Sequence, residues 1–519
     1  MLYIKICYFT ILTLVMLKCF FYLLNLLQQS HYHIKQFISC FPYYFFFKKN
    51  VYILYLLIVI SLINNIYLYI VGLILAFIFF LLREKVIKKL KFTKRIIRLL
   101  LTYSLILIFG LSITKDLRYL SFIYLFNPFV IIIVSFINLP VETIIQKHYI
   151  HQAQKKLIQL DTLVKVGITG SYGKTSTKNI ITTILENSYL TLKTPASYNT
   201  IMGITKVINN QLNKSTEVFV CEMGASKLGE IGQMSKLLEP HIRVITDVGY
   251  QHISTFKSIE NVLKAKFELV NGEKNDFVTI LNGDNELIKE NSQNMQNVIY
   301  YGFNKQNTYN AQNIEINQDQ TSFDLYYYDN FIMNIKTNLL GEHNIKNILA
   351  SYAITISLKR YGVVITNEEF KQTIKRLQPT NHRLSYKQIN NLHIYDDAFS
   401  ANIVGIKNSV DVVKKTNYKK IIITPGIVDS GKMTKQLNEE VASYIQDVFD
   451  DIYIIDNDSG RVIYNKLKDL SNIYLYKSFS EAYTNVVNNN LTNEVALLIA
   501  NDLPDNYLVR RKKNDKKDK

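Results

Sequence analysis

Thirty-two consecutive residues, Val51 to Leu82, carry no charged side chain. A run of that length has few places to go. A hydrocarbon core is crossed by roughly 20 apolar residues, whereas buried core helices are satisfied by about 10–14. Further uncharged runs flank it: Ile6–Leu17 and Cys19–Leu27 around Lys18, Leu99–Thr114, and Tyr119–Pro140. A cleaved leader is a poor fit, because one apolar run follows another with no small-residue cleavage site between them. Residues 1–140 are therefore expected to form a multi-span helical membrane region of about five helices, with Val51–Leu82 turning at Asn64-Asn65 into a pair.

Orientation follows from Arg83–Arg98, REKVIKKLKFTKRIIR, which holds eight Lys/Arg and one Glu. Such a stretch stays on the cytoplasmic face. The expectation is a multi-pass cell-membrane protein whose remaining domains are cytoplasmic. Residues 141–163 read as an amphipathic connector and 508–519 as a basic tail, RRKKNDKKDK over its last ten residues, able to meet anionic membrane lipid. The chain has a net charge of +18. That charge is concentrated beside the apolar runs and in the tail, with no nucleic-acid-binding motif, so no nucleic-acid partner is expected. Four cysteines, three of them in the apolar region (Cys7, Cys19, Cys40), give neither a disulfide framework nor metal spacing, and Cys221 reads as a core thiol.

From Val164 the character changes. VKVGITGSYGKTSTKNI places a β-branched run before a glycine turn and a helix-like segment after it. This is the strand, loop, helix layout of a phosphate-binding P-loop, although Ile168 stands where the first glycine usually does. Gly170, Ser171 and Gly173 free the backbone amides to curl around an anion. Lys174 supplies a mobile positive charge, and Thr175 with Ser176 opens the helix. ATP or GTP binding follows. Strands expected at Lys165–Thr169, Glu217–Glu222, Arg243–Val248, Phe277–Leu281 and Val298–Tyr301 alternate with helical patterns, a β-rich insert follows at Asn313–Asn338, and a second α/β unit begins near Leu377. The fold class is α/β: a P-loop domain over 164–376, then a Rossmann-like domain over 377–507.

Glu222 ends an apolar strand, where an open α/β sheet keeps its ligand edge, and can complete the coordination of Mg²⁺ at Thr175. His252 follows the next strand, and Lys266 lies 14 residues further on. A lysine that takes up CO₂ becomes an anionic carbamate, able to hold a second Mg²⁺ beside His252. Asn344 opens a helix, where an asparagine serves equally as a cap.

The ordered set TGSYGKTS, SYNTIMG, EMGA, GYQHISTF, AKFEL, LNGDN, GEHNIKN, HR and DDAFSAN resembles the Mur ligase family over about two thirds of the chain. Its branch that adds D-alanyl-D-alanine to the peptidoglycan precursor (MurF-like) is the nearest match. The resemblance implies an ATP-dependent carboxylate–amine ligase working through an acyl phosphate, with ATP and two Mg²⁺. Lys174 would contact the β/γ-phosphates. Thr175 and Glu222 would hold one Mg²⁺, with His252 and carbamylated Lys266 holding the other. Asn282 and Asn344 would lie on the nucleotide side, and Arg383 and Asp397 would reach the phosphate and ribose from the C-terminal domain. Asn199 and Thr200 would contact a UDP- or lipid-linked muropeptide, joined to a small amino donor. The family's soluble UDP-gripping domain is replaced here by apolar runs. His382 stands for the glycine before the arginine, Phe399-Ser400 for Tyr-Asn, Val428-Asp429-Ser430-Gly431 for the ELG signature, and NDLPDNY (501–507) for a lysine motif. Other readings are a ligase for a surface polymer such as poly-glutamate and a non-catalytic nucleotide-binding membrane regulator. A transport ATPase fits worse, since the spans hold few charged or Gly/Pro-broken positions.

Overall fold

The computed structural model describes residues 2–30, 32–39, 49–63, 65–81, 89–114, 126–195, 198–249, 253–271, 276–317, 319–379, 382–398, 403–428, 433–490 and 493–501. The chain divides into two compact units, Met1–His148 and Tyr149–Lys519.

The first unit is helical. Its longer helices are Leu2–Gln29, Lys49–Leu62, Ile66–Leu81 and Lys94–Thr114, followed by the helix Asn127–Ile158, which carries Pro140 inside it and continues past the end of this unit. Two clusters form its interior. Tyr8, Leu12, Val15, Leu57, Ile60 and Phe79 make one, and Phe20, Leu23, Leu27, Ile96, Leu99 and Val134 the other. Leu101, Leu105, Ile108 and Phe109 are exposed along one helix, an outward apolar stripe that water would not favour. The Val51–Leu82 run is a helix pair, as its central asparagines suggested. Of the five expected spans, two helices among the described residues are long and apolar enough by themselves, Ile6–Gln29 and Asn127–Ile158; Ile66–Phe79 is a shorter apolar helix. Lys18, the one charged residue of Ile6–Gln29, donates to Phe79 O at 3.2 Å, and Glu142 binds Arg98 at 2.5 Å.

The second unit holds two sheets. The strands of the first are β1 Val164–Thr169, β2 Thr191–Lys193, β3 Val218–Glu222, β4 Ile242–Ile245, β5 Val278–Asn282, β6 Val298–Gly302, β7 Tyr309–Ile316, β8 Thr321–Tyr327 and β9 Asn330–Thr337. They run in the order β2-β3-β1-β4-β5-β6-β7-β8-β9, parallel except for the pairings of β8 with β7 and β9. The β-rich insert is thus the antiparallel end of a continuous sheet. β1 lies between β3 and β4, with Ile168 level with Glu222 and with Val244, so the chain reverses its direction of winding at β1. The crevice at such a reversal is where parallel sheets take their ligands. Both faces are covered, and alternate residues of β3 show it. Val218 and Val220 enter the core with Ile181, Ile184 and Ile348, whereas Phe219 and Cys221 enter the opposite one with Ile204, Ile208 and Met234.

The second sheet contains β10 Ser385–Ile389, β11 Leu392–Asp397, β12 Lys419–Thr424, β13 Asp451–Ile455, β14 Ile473–Tyr476 and β15 Val495–Ala500. Its order is β10-β11-β15-β12-β13-β14, antiparallel only at β10. Observed strand limits lie within three residues of most expectations, while β2, β10 and β14 had no counterpart in the sequence reading.

Candidate nucleotide and metal site

β1 ends at Thr169, and the chain must then turn tightly against the end of β4. Gly170 takes φ +149°, and a Cβ there would meet Thr246 Oγ1 at 2.1 Å. Gly173 takes φ +80°, and its Cβ would meet Asn347 Oδ1 at 2.6 Å. Both glycines are demanded by backbone and by space. Gly173 also caps the helix Lys174–Leu185 with no side-chain acceptor, so the first amides of that helix stay open to an anion. Ser171 N donates to Asp247 O at 2.7 Å, and Gly249 N donates to Ser171 Oγ at 3.0 Å, which pins the loop to the end of β4.

Lys174 donates to Ser171 O at 3.0 Å and to Gly170 O, so its ammonium lies against the loop it is expected to serve. Burial lowers it to about 8; Glu222 opposes that shift and Arg383 adds to it.

Glu222 is where the site converges. Its Oε2 accepts from Thr175 Oγ1 at 3.0 Å and from Lys178 Nζ at 2.9 Å, and its Oε1 accepts from Asn199 Nδ2 at 3.3 Å. Its backbone amide donates to Thr194 Oγ1 at 3.0 Å. Burial alone would raise the carboxyl, but Lys178, Lys174 and Asn199 together hold it below the usual carboxylate range. The expected pair Thr175 and Glu222 is therefore in contact, a hydroxyl and a carboxylate of the hard-oxygen kind that suits Mg²⁺.

Lys266 lies in the helix Ile259–Phe267, whose cap Ser258 accepts from Asn261 N at 3.3 Å. It is 2% exposed, and burial together with Lys174 lowers its ammonium to about 7. His252 lies outside the described residues. Among the described residues no three His, Cys, Asp or Glu side chains converge to hold a metal ion.

A small cleft opens along the helix Lys174–Leu185, lined by Ser176, Asn179, Ile180, Thr183, Asn344 and Arg383 among others. It brings together Ser176, Asn344 and Arg383, which come from three separate segments. Asn344 is not the cap of its helix, a place taken by Gly341; its Nδ2 donates to Leu340 O at 2.8 Å and its Oδ1 accepts from Asn347 Nδ2 at 3.2 Å. Thr200 caps the helix Ile201–Asn210 through Gly203 N and is exposed. Asn282 is buried, with Oδ1 accepting from Asp284 N at 3.1 Å, so its side chain closes the turn after β5. Asp397 is 3% exposed; it accepts from Leu384 N at 3.0 Å and from Ser409 Oγ. His382 takes φ +61°, which explains why a glycine suits that position, and its Nδ1 lies 2.9 Å from Asp396. Phe399-Ser400, Asp429–Gly431 and residues 502–507 lie outside the described residues.

The sequence reading missed Lys178, Thr194, Asn347 and Asp247. A signal for Lys178 existed, because it sits one helical turn after Lys174 and so shares its face.

Residues 168–355 match the Mur ligase middle domain family. The UDP-N-acetylmuramoyl-tripeptide–D-alanyl-D-alanine ligase of Bacillus subtilis (strain 168) is 30% identical over 296 residues, 56% of this chain and 62% of that protein. A UDP-N-acetylmuramate–L-alanine ligase from Caldanaerobacter subterraneus is 28% identical over 50% of this chain and 53% of its own length. The chain thus spans about three fifths or less of the length of these relatives. Among solved structures, MurF from Acinetobacter baumannii superposes with a TM-score of 0.62 at 21% identity, covering 69% of this chain and 77% of that one. MurF ligase from Thermotoga maritima in complex with ADP gives 0.62 at 21% identity, covering 70% and 82%. Those likenesses carry the fold of the second unit, whose strand order and P-loop are described above. Residues 168–355 are thus similar to the Mur ligase middle domain, and the likeness to these ligases extends over about half of the chain.

Proposed function

We propose that the protein is a membrane-anchored, ATP-dependent carboxylate–amine ligase of peptidoglycan precursor synthesis. It adds D-alanyl-D-alanine or a related small amine to a muropeptide that is UDP-linked or lipid-linked. The observation that carries this reading is the meeting of Thr175 and Lys178 on Glu222 directly behind the P-loop. A loop built only to cradle an anion needs no buried carboxylate beside its hydroxyl.

The chemistry can be followed on this chain's own groups. The P-loop amides and Lys174 hold the terminal phosphates in line with an acceptor carboxylate. That carboxylate takes the γ-phosphoryl group, ADP leaves, and the amine then attacks the acyl phosphate and expels inorganic phosphate. Charge spread over the phosphoryl oxygens in flight is met by fixed cations, which is where such reactions gain their rate. Mg²⁺, held by Thr175 and Glu222, would supply further neutralisation there. Lys266 has the burial needed to present a neutral amine, which with CO₂ gives a carbamate and a proton. That anion, with His252, would complete a second Mg²⁺ site. Arg383, beside the same helix, reaches the nucleotide when the C-terminal domain closes and excludes water from a hydrolysable intermediate. Anchoring by Ile6–Gln29 and Asn127–Ile158 places the catalytic domains at the cytoplasmic membrane face.

Detergent-solubilised full chain should release phosphate from ATP only when muropeptide and D-alanyl-D-alanine are both present, with the amide product seen by mass. Phosphate release indifferent to both would overturn the reading. Lys266→Ala should lose product formation and regain part of it with added short carboxylates; unchanged activity would remove the carbamate from the scheme.

A further inference from the structure

The reaction steps above give Lys178 no task of its own, yet it is among the largest fully buried side chains of the described residues at 1% exposure. A lysine with no water around it and one carboxylate at 2.9 Å is a costly arrangement to keep unless it has a use. The carboxylate oxygen it binds, Glu222 Oε2, is also the one bound by Thr175 Oγ1 at 3.0 Å. The oxygen that suits a divalent cation therefore already carries a monovalent one, fixed on the same helix as Thr175 and one turn beyond Lys174.

We propose that Lys178 is a positioning residue that acts as the built-in counter-cation of Glu222, keeping that carboxylate aimed at Thr175 and stopping it from repelling the nucleotide phosphates before the metal arrives. The inference rests on the nucleotide-binding reading of the P-loop and not on ligation. Without Lys178, Glu222 keeps hydrogen bonds from Thr175 and Asn199, neither of which brings a charge, and the nearby cation Lys174 is held by the loop carbonyls of Gly170 and Ser171. Its negative charge then faces the phosphates directly. Bound metal restores the balance, and Lys178 matters less once it is present.

The test is ADP binding by calorimetry to the detergent-solubilised full chain, once in EDTA and once in excess Mg²⁺. Removing a unit charge 2.9 Å from Glu222 in a partly desolvated site should weaken metal-free ADP about tenfold or more in Lys178→Met. Mg·ADP should weaken by no more than about threefold, the residue's charge then being replaced by the metal's. Lys178→Arg should keep the native ratio of the two affinities. If both affinities of Lys178→Met fall by the same factor, or neither moves, Lys178 only packs the core and the proposal fails. Should Lys178→Met not fold, the double variant Lys178→Met/Glu222→Gln, which removes the cation and the carboxylate together, takes its place. Its metal-free ADP affinity should stay within about threefold of native, and a loss of tenfold or more would overturn the proposal. A native chain that binds no Mg·ADP would instead break the functional reading itself.

Discussion

The two parallel sheets of the second unit hold their acidic edge residues by opposite means. Glu222, at the end of β3, draws its partners from far along the chain: Asn199, Lys178 and Thr175 are 23, 44 and 47 residues away. Asp396 and Asp397, at the end of β11, are fastened locally, to His382, Leu384 and Ser409 at separations of 14, 13 and 12. The first arrangement exists only when several strands and a helix have assembled, and it leaves charges of both signs facing one point. The second can form within one hairpin and the helix that follows it. The first edge gathers its groups around the end of a P-loop, whereas the second holds the segment that carries Arg383.

The comparison can be broken from either side. Lys174→Ala should leave the fold intact and cut ATP-dependent product formation by about a thousandfold or more, since positioned cations supply most of the rate in phosphoryl transfer; turnover within tenfold of native would erase the distinction between the edges. Asp397→Ala should act on stability. It strands the buried Leu384 amide, while Ser409 Oγ keeps Gly405 O at 2.8 Å, so the loss should be about 2 kcal/mol in denaturant unfolding. A loss of activity with no loss of stability would move Asp397 into the chemical group.

His343 sharpens the contrast through pH. Burial first, and Arg383 second, lower its imidazole to about 4. The unfolded chain binds a proton at that residue below about 6.5, so between roughly 6.5 and 4 the unfolded state holds more protons and stability rises with pH. Going from pH 7 to 4.5 should remove about 2 kcal/mol that His343→Gln does not lose. Equal pH slopes in thermal melts of the two proteins would show that the ring is solvated. The smallest effect belongs to His382→Gly. It relieves a left-handed backbone and gives up a half-exposed hydrogen bond to Asp396, so stability should change by less than about 1 kcal/mol. A larger loss would make His382 more than a substitute for glycine.

Much of the fold could be read from residues alone, for reasons visible in the core. The apolar runs of β1, β3, β4, β12, β13 and β15 are buried on both sheet faces, which leaves an unmistakable hydrophobic signature. β2, β10 and β14 are edge strands with mostly partly or fully exposed side chains, so SYKQI and IYLY give no such signal. At the site, glycines and Thr175 announced themselves because their roles are local. Lys178 did not, since a lysine on a helix normally faces water, and only the tertiary position of Glu222 brings it inside. Asn282, expected on the nucleotide side, has its Oδ1 engaged in the turn after β5, a use that asparagines share with ligand contact.

The double fastening of Asp397 has a mechanical consequence. One carboxylate clamps Leu384, the residue after Arg383, and through Ser409 the helix Ile403–Lys414. The backbone bearing the guanidinium is thereby bolted to the sheet behind it, like the tip of a lever to its arm. Any swing of that domain carries the backbone of Arg383 through an arc with the sheet, leaving only the side-chain torsions to settle at the end of the stroke.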